Sequence, residues 1–300
     1  MTHKQKYNYR YNSFGELFRK SPEGQPEQFS YKTKEWRFTP TAADVYFGYD
    51  YSYFCSQEFA LKLIENGGNT KMTEEYFMDS KQLSIKFAEW CKSNIDLNQK
   101  HYAEPYESLG PCILDCIYSL RAKYFSVTVP LVKRYGETYM NGHEHDVGYT
   151  LTDFIDHINQ AGGAFFFARD ILNNMQVIGK KLKSEICLEL AQKLVKIGIE
   201  TLDDFQNKDK DFVDFCMRSV YGMGDAAVNY MFMLAGDQNR VKPDVHIHRS
   251  IREATGYEVS NDDCQNIYKL AVDILKQDYP NLTIARLDRM VWSKFRVGQK

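Results

Sequence analysis

Apolar positions recur at helical spacing along most of the chain, and strand-like alternation is rare. The first forty residues are rich in Tyr, Lys and Arg. Their one imperfect alternation, FSYKTKEWRF over 29–38, follows the turn Ser21-Pro22-Glu23-Gly24-Gln25-Pro26 and predicts a short strand or an extended arm. Helical signals then dominate. A Thr-Ala-Ala-Asp start and a Gly67-Gly68 stop bound one or two helices over 41–65, and Leu83, Phe87 and Trp90 share one face of a helix over 73–94. The polar, Pro-containing stretch 94–109 marks a boundary. Residues 111–135 predict a buried helix, a break, and a second helix with Pro130 in its first turn. Short helices over 152–160 and 165–173 flank Ala161-Gly162-Gly163, and a strongly amphipathic helix over 182–197 closes at Gly198. Thr201-Leu202-Asp203-Asp204 and Ser260-Asn261-Asp262-Asp263 open two later helices, and Leu287, Val291 and Trp292 form the apolar face of the last, 284–297.

The densest information lies in 211–249. Phe212, Phe215 and Val220 predict one helix, and the run 226–235, apolar nearly all round, predicts another. Between them Tyr221-Gly222-Met223-Gly224-Asp225 is too short for a loop with structure of its own, so a tight helix-turn-helix is expected. Exposed amides in such a turn, followed by a fresh helix N-terminus, can receive a phosphate without a basic side chain. Gly236 ends the second helix. Val241-Lys242-Pro243-Asp244 starts the next, with Asp244 suited to its first turn.

Composition narrows the class. Of 300 residues 43% are hydrophobic and 14% aromatic, enough for a substantial core and contrary to disorder. With 38 Lys+Arg against 40 Asp+Glu the chain is no generic polyanion binder, so nucleic-acid binding requires a local basic face and backbone amides. The N-terminus has no signal-peptide core, and no apolar run approaches the roughly 18 residues of a membrane span; a soluble, cytoplasmic protein is expected. Seven scattered cysteines, Cys55, Cys91, Cys112, Cys116, Cys187, Cys216 and Cys264, lack zinc or disulfide spacing and read as reduced core residues. His143 and His145, two apart in a polar loop with Glu144 and Asp146, give no defined ligand spacing, and no metal site is assigned.

The turn Gly222-Met223-Gly224, the following Ala227-Val228-Asn229-Tyr230, and Lys242-Pro243-Asp244-Val245-His246 together resemble the helix-hairpin-helix DNA glycosylase superfamily, the group of endonuclease III and the alkyladenine glycosylases. The resemblance covers roughly 111–250. It implies a mostly α protein of two helical lobes with a cleft between them and a small extended or β element near the N-terminus. The expected division is an N-terminal extension (1–40), a second helical lobe (41–110 with 243–300), and a helical barrel (111–242) carrying the helix-hairpin-helix (212–236). The implied partner is double-stranded DNA with an extruded base, bound by a monomer.

The roles follow from the same resemblance. Amides at Gly222, Met223 and Gly224 would hold a backbone phosphate, often with a monovalent cation on the hairpin carbonyls, and Asp244 would stabilise the sugar cation or orient water. Arg121, Lys123 and Tyr124 match the segment that fills the hole left by the extruded base, and Lys242 and Arg249 are further DNA-contact candidates. Tyr118 and Tyr230 are base-pocket candidates. The four-cysteine iron-sulfur loop of some relatives is absent, since only Cys264 follows Cys216. Members that also cleave the strand carry a lysine where this chain has Ala226, so hydrolysis by water without efficient lyase action is expected. The role could lie in base-excision repair or in defence against modified phage DNA.

Plainer readings stand beside these. Asp244 could simply cap a helix, and residues 119–124 could be a solvated basic helix end. Arg249 could pair with Asp244 instead of touching DNA. The aromatics Tyr46, Phe47, Tyr49, Tyr51, Tyr53 and Phe54 could be core or could line a base pocket. A non-catalytic helix-hairpin-helix module would need Gly222 and Gly224 but not Asp244.

Overall fold

The computed structural model describes residues 9–12, 16–47, 52–55, 57–68, 77–78, 80–99, 105–145 and 148–297. The fold is mostly α with a small N-terminal antiparallel sheet, as the periodicity predicts. Two compact units divide the chain, residues 1–98 with 243–300 in one and 99–242 in the other. Among the described residues no helix is long and apolar enough to cross a membrane. The aromatic cluster 46–54, Arg296 and Lys300 lie outside the described side chains.

The first unit opens with strands β1 (Tyr9–Asn12), β2 (Leu17–Lys20), β3 (Pro26–Ser30) and β4 (Glu35–Arg37). Helix α1 (Pro40–Phe47), β5 (Ser52–Cys55), α2 (Gln57–Glu65), β6 (Phe77–Met78) and α3 (Ser80–Asn94) follow. The strands pair antiparallel in the order β4-β3-β2-β1-β5-β6. A six-stranded sheet therefore replaces the single extended element expected. The reason is visible in β2: Leu17 joins the core formed with Ala60 and Leu63 of α2, whereas its neighbour Phe18 packs with Ala42 and Val45 of α1. A sheet buried on both faces shows no alternation of polar and apolar residues.

The second unit contains α4 (Leu109–Ser119), a π-helical turn (Tyr124–Thr128), α5 (Val129–Tyr139) and α6 (Leu151–Gln160). The single turn α7 (Ala164–Phe166) runs into a second π-helical turn (Phe167–Ile171). A two-stranded hairpin, β7 (Val177–Ile178) and β8 (Lys181–Leu182), precedes α8 (Lys183–Lys196), α9 (Leu202–Asn207), α10 (Lys210–Arg218) and α11 (Asp225–Leu234). Helix α4 is buried along nearly its whole length and packs on α5, α6, α8 and α11. Reciprocal capping boxes, Thr150 with Asp153 and Thr201 with Asp204, start α6 and α9.

Helix α10 presents a different face from the one expected. Val213, Cys216, Met217 and Val220 enter the core, while Phe212 is exposed and Phe215 is 73% exposed. Val213, Met217 and Val220 keep the four- and three-residue spacing of one face, so Val220 alone of the expected set is buried, while Phe215, five residues before it, points elsewhere.

The chain returns to the first unit with α12 (Val245–Thr255), α13 (Asn261–Leu275) and α14 (Ile284–Val297). Helix α13 lies on α3, where Phe87 meets Tyr268 at 4.7 Å between ring centroids, and α12 packs on α3 and α14. Arg10 of β1 forms a buried ion pair with Asp263, which also closes the capping box at the start of α13, so one carboxylate ties the sheet to a helix terminus.

Candidate nucleic-acid interface and active site

Helices α10 and α11 are joined by a reversal in which Gly222 has φ +87°, a left-handed conformation that strains any residue with a Cβ. Gly224 is different. Its φ is −84°, nothing lies within 4 Å of where a Cβ would stand, and it occupies the N-cap of α11 without any side-chain cap on that helix. Met223 is buried in the core, and its amide donates to the Val220 carbonyl at 3.1 Å. The three-amide cradle is thereby reduced to Gly222 and Gly224, whose amides meet no protein acceptor among the described residues. They border an open concavity of about 460 Å³ lined by Glu189 and residues 218–224.

Charge around this concavity is largely balanced. Arg218 is shared between Asp214 and Asp225, so it clamps the end of α10 to the start of α11 instead of standing free. Glu189 is paired with Lys181. Attraction for an anion therefore rests on the two open amides and the helix start behind them.

A second constellation surrounds Asp115 on α4. Its carboxylate accepts from Tyr124 at 2.7 Å and Tyr106 at 2.9 Å on one oxygen and from Tyr230 at 2.9 Å on the other. Burial pushes the Asp115 pKa up, and the three phenols and the charge of Lys242 pull against that shift. The Lys242 ammonium sits 3.6 Å from the centroid of the Tyr230 ring and donates to Ser119 Oγ at 3.2 Å. Sequence reasoning missed Asp115. The only signal was an acidic residue in an otherwise apolar helix, which marks a buried polar centre without naming its partners.

These contacts correct several expectations. Tyr118 is 0% exposed within the core and cannot line a base pocket. Tyr230 is partly buried, its hydroxyl donated to Asp115 and its ring in contact with the Lys242 ammonium. Tyr124 gives its hydroxyl to Asp115 and Lys242 its ammonium to Ser119, and both side chains remain partly exposed. Arg121 and Lys123 are exposed, Arg121 with φ +54°, a left-handed conformation uncommon outside glycine.

In the other unit Asp244 is the N-cap of α12, one position before the first turn where it was expected. Its Oδ1 accepts from the amides of His246 at 2.8 Å and Ile247 at 3.2 Å. Oδ2 meets no protein donor among the described residues, and the side chain is half-buried. Arg249 does not pair with Asp244. It donates to Glu253 at 2.8 Å, one turn along α12, and lies 4.8 Å from the centroid of the Phe295 ring, with its side chain exposed. His248 bonds Asn261 at 2.9 Å and His246 stacks on Phe295, so both histidines are packed within their own unit.

The chain belongs to the family described as a domain of unknown function, DUF8548, whose sequence model spans residues 85–296. No curated protein matches it. Among solved structures the fold is similar to that of MBOgg1 in complex with a low-affinity DNA ligand, at 10% identity over 99% of this chain and 90% of that one, with a TM-score of 0.45. It is equally similar to the Clostridium acetobutylicum 8-oxoguanine glycosylase/lyase in complex with dsDNA containing cytosine opposite 8-oxoG, at 10% identity over 98% and 90% and a TM-score of 0.45.

Proposed function

We propose that the protein is a DNA glycosylase that hydrolyses the N-glycosidic bond of a flipped, altered base and leaves an abasic site. The observation that carries this reading is Asp244: one oxygen is fixed by two amides of α12, and the other is left without a protein donor. A carboxylate held in that way loses little freedom when charge develops beside it, the condition for electrostatic catalysis.

The chemistry follows from the bond to be broken. As the base departs with the bonding electrons, the deoxyribose becomes oxocarbenium-like; water adds at C1′, and the proton it loses balances the one the departing base takes up. Asp244 stabilises that cation or aligns the water, and the Gly222 and Gly224 amides grip a backbone phosphate of the strand that carries the flipped base. Hydrolysis without strand cleavage is favoured by two features. Ala226 supplies no amine at the start of α11, and Lys242, the lysine next to Asp244 in sequence, is engaged by Tyr230 and Ser119.

The test is release of bases from duplex DNA. The full chain is incubated with genomic DNAs that differ in alkylated, oxidised and bulky phage-type bases, and the released bases are identified by mass spectrometry. A modified base set free by the wild type and not by Asp244→Asn supports the reading, and the identity of that base separates repair from defence. Duplex binding without release from any of these DNAs would instead assign a non-catalytic binding module.

A further inference from the structure

The hairpin of β7 and β8, which nothing in the sequence pattern announced, is tied at both ends to elements of the candidate interface in its own unit. At its root Lys183, almost wholly buried, donates through Nζ to the Leu120 carbonyl at 2.7 Å, the Tyr118 carbonyl at 3.3 Å and Gln176 Oε1 at 2.8 Å. The hairpin is thereby bound to the end of α4, where Arg121 and Lys123 emerge. At its tip Gly179 has φ +60° and lies directly under Tyr221: a Cβ there would stand 2.2 Å from the Tyr221 hydroxyl oxygen. Ile178 flanks Gly222, with side-chain atoms 3.4 and 3.6 Å from where a Gly222 Cβ would be. Beside the tip, Lys181 neutralises Glu189, the carboxylate that lines the hairpin concavity.

This leaves Lys180. It is exposed, sits on the two-residue turn beside Gly179, and forms no ion pair among the described residues. The neighbouring charges are spent, since Arg218 is paired with two aspartates and Lys181 with Glu189. An unneutralised ammonium on a turn packed against a second turn with two open amides is suited to a second phosphate on the strand the amides hold.

We propose that the hairpin over 177–182 is a phosphate-contacting strap for duplex DNA, with Lys180 as its contact. The proposal rests on the glycosylase reading for its ligand but not on the chemistry of Asp244. Lys180 adds affinity and register without reading sequence, because a phosphate is the same beside every base.

The experiment is a salt titration of duplex affinity for the full chain and for Lys180→Ala, Lys180→Arg and Lys196→Ala, followed by fluorescence anisotropy. Lys196 lies at the far end of α8 from the strap, about 20 Å along the helix axis from its first turn. Lys180→Ala is expected to flatten the slope of log affinity against log salt by about 0.9, so that raising salt from about 50 to about 200 mM weakens the wild type roughly threefold more than the variant. The loss should be equal on duplexes of different sequence, Lys180→Arg should restore the slope, and Lys196→Ala should match the wild type. A wild-type slope in Lys180→Ala, with base release intact, overturns the strap and leaves the glycosylase reading standing. A wild type that binds no duplex at any salt overturns both.

Discussion

Helices α11 and α12 begin in opposite ways. Gly224 opens α11 with no side chain to receive its first amides, whereas Asp244 opens α12 and receives two of them on one oxygen. Both starts carry the partial positive charge of a helix N-terminus. In α11 that charge remains available to an outside anion; in α12 it is used to hold a carboxylate still. The same local physics thus leaves an open helix start in one unit and fixes a carboxylate in the other, and the difference lies in one residue, a glycine or an aspartate at the N-cap.

The largest effect expected from breaking this contrast is on Asp244. Asparagine caps a helix about as well as aspartate, so Asp244→Asn should change unfolding free energy by less than about 1 kcal/mol. Base release should fall by about a hundredfold or more, the scale of losing one preorganised electrostatic group. Asp244→Ala should lose activity to the same degree and about 1 kcal/mol of stability as well, measured by urea unfolding. If Asp244→Asn releases bases at the wild-type rate, the carboxylate is a cap and nothing more.

A smaller pair of effects separates the two hairpin glycines. Gly222→Ala forces a Cβ into left-handed backbone and should cost about 1–2 kcal/mol. Gly224→Ala meets open space at an ordinary φ, so its stability cost should stay near about 0.5 kcal/mol. If the Gly224 amide holds a phosphate, the added methyl beside that amide should lower duplex affinity by about tenfold, the worth of one hydrogen bond to a charged group. Equal stability losses in the two variants, or an unchanged affinity for Gly224→Ala, would remove the distinction between a turn glycine and a contact glycine.

What the sequence disclosed follows the range of the forces involved. Local signals were readable: the Thr201 and Ser260 starts, Pro130 in the first turn of α5, and Gly198 after α8 all act through neighbours a few residues away. Signals that depend on partners distant in sequence were not. Leu17 and Phe18 hide their strand because helices cover both faces of the sheet. Phe212 and Phe215 define an apolar stripe that packing left exposed. Asp244 as a helix start and Gly222 as a turn residue were legible because both act through local backbone chemistry. Tyr230 was ambiguous because a tyrosine suits a base pocket and a buried hydrogen-bond network equally well, and its partner Asp115 lies more than a hundred residues away in sequence; Tyr118 is simply enclosed in the core of its unit.

The smallest expected effect concerns helix starts of a third kind, the reciprocally capped α6 and α9. The Thr150 hydroxyl holds the Asp153 pKa below the ordinary carboxylate value, and the Glu200 amide, with Thr201, does the same for Asp204. Because these acids are stronger in the folded protein than in the unfolded chain, their contribution is complete above the unfolded value near 3.8 and fades as pH falls through the lower folded values. Asp153→Asn and Asp204→Asn should therefore lower the urea midpoint at neutral pH, and the gap to the wild type should close as pH falls below 3.8. Gly224→Ala removes no carboxylate, so its offset from the wild type should keep the same size across that range. An offset that closes with the other two would mean that the start of α11 depends on an acidic cap after all, and the contrast with α12 would lose its basis.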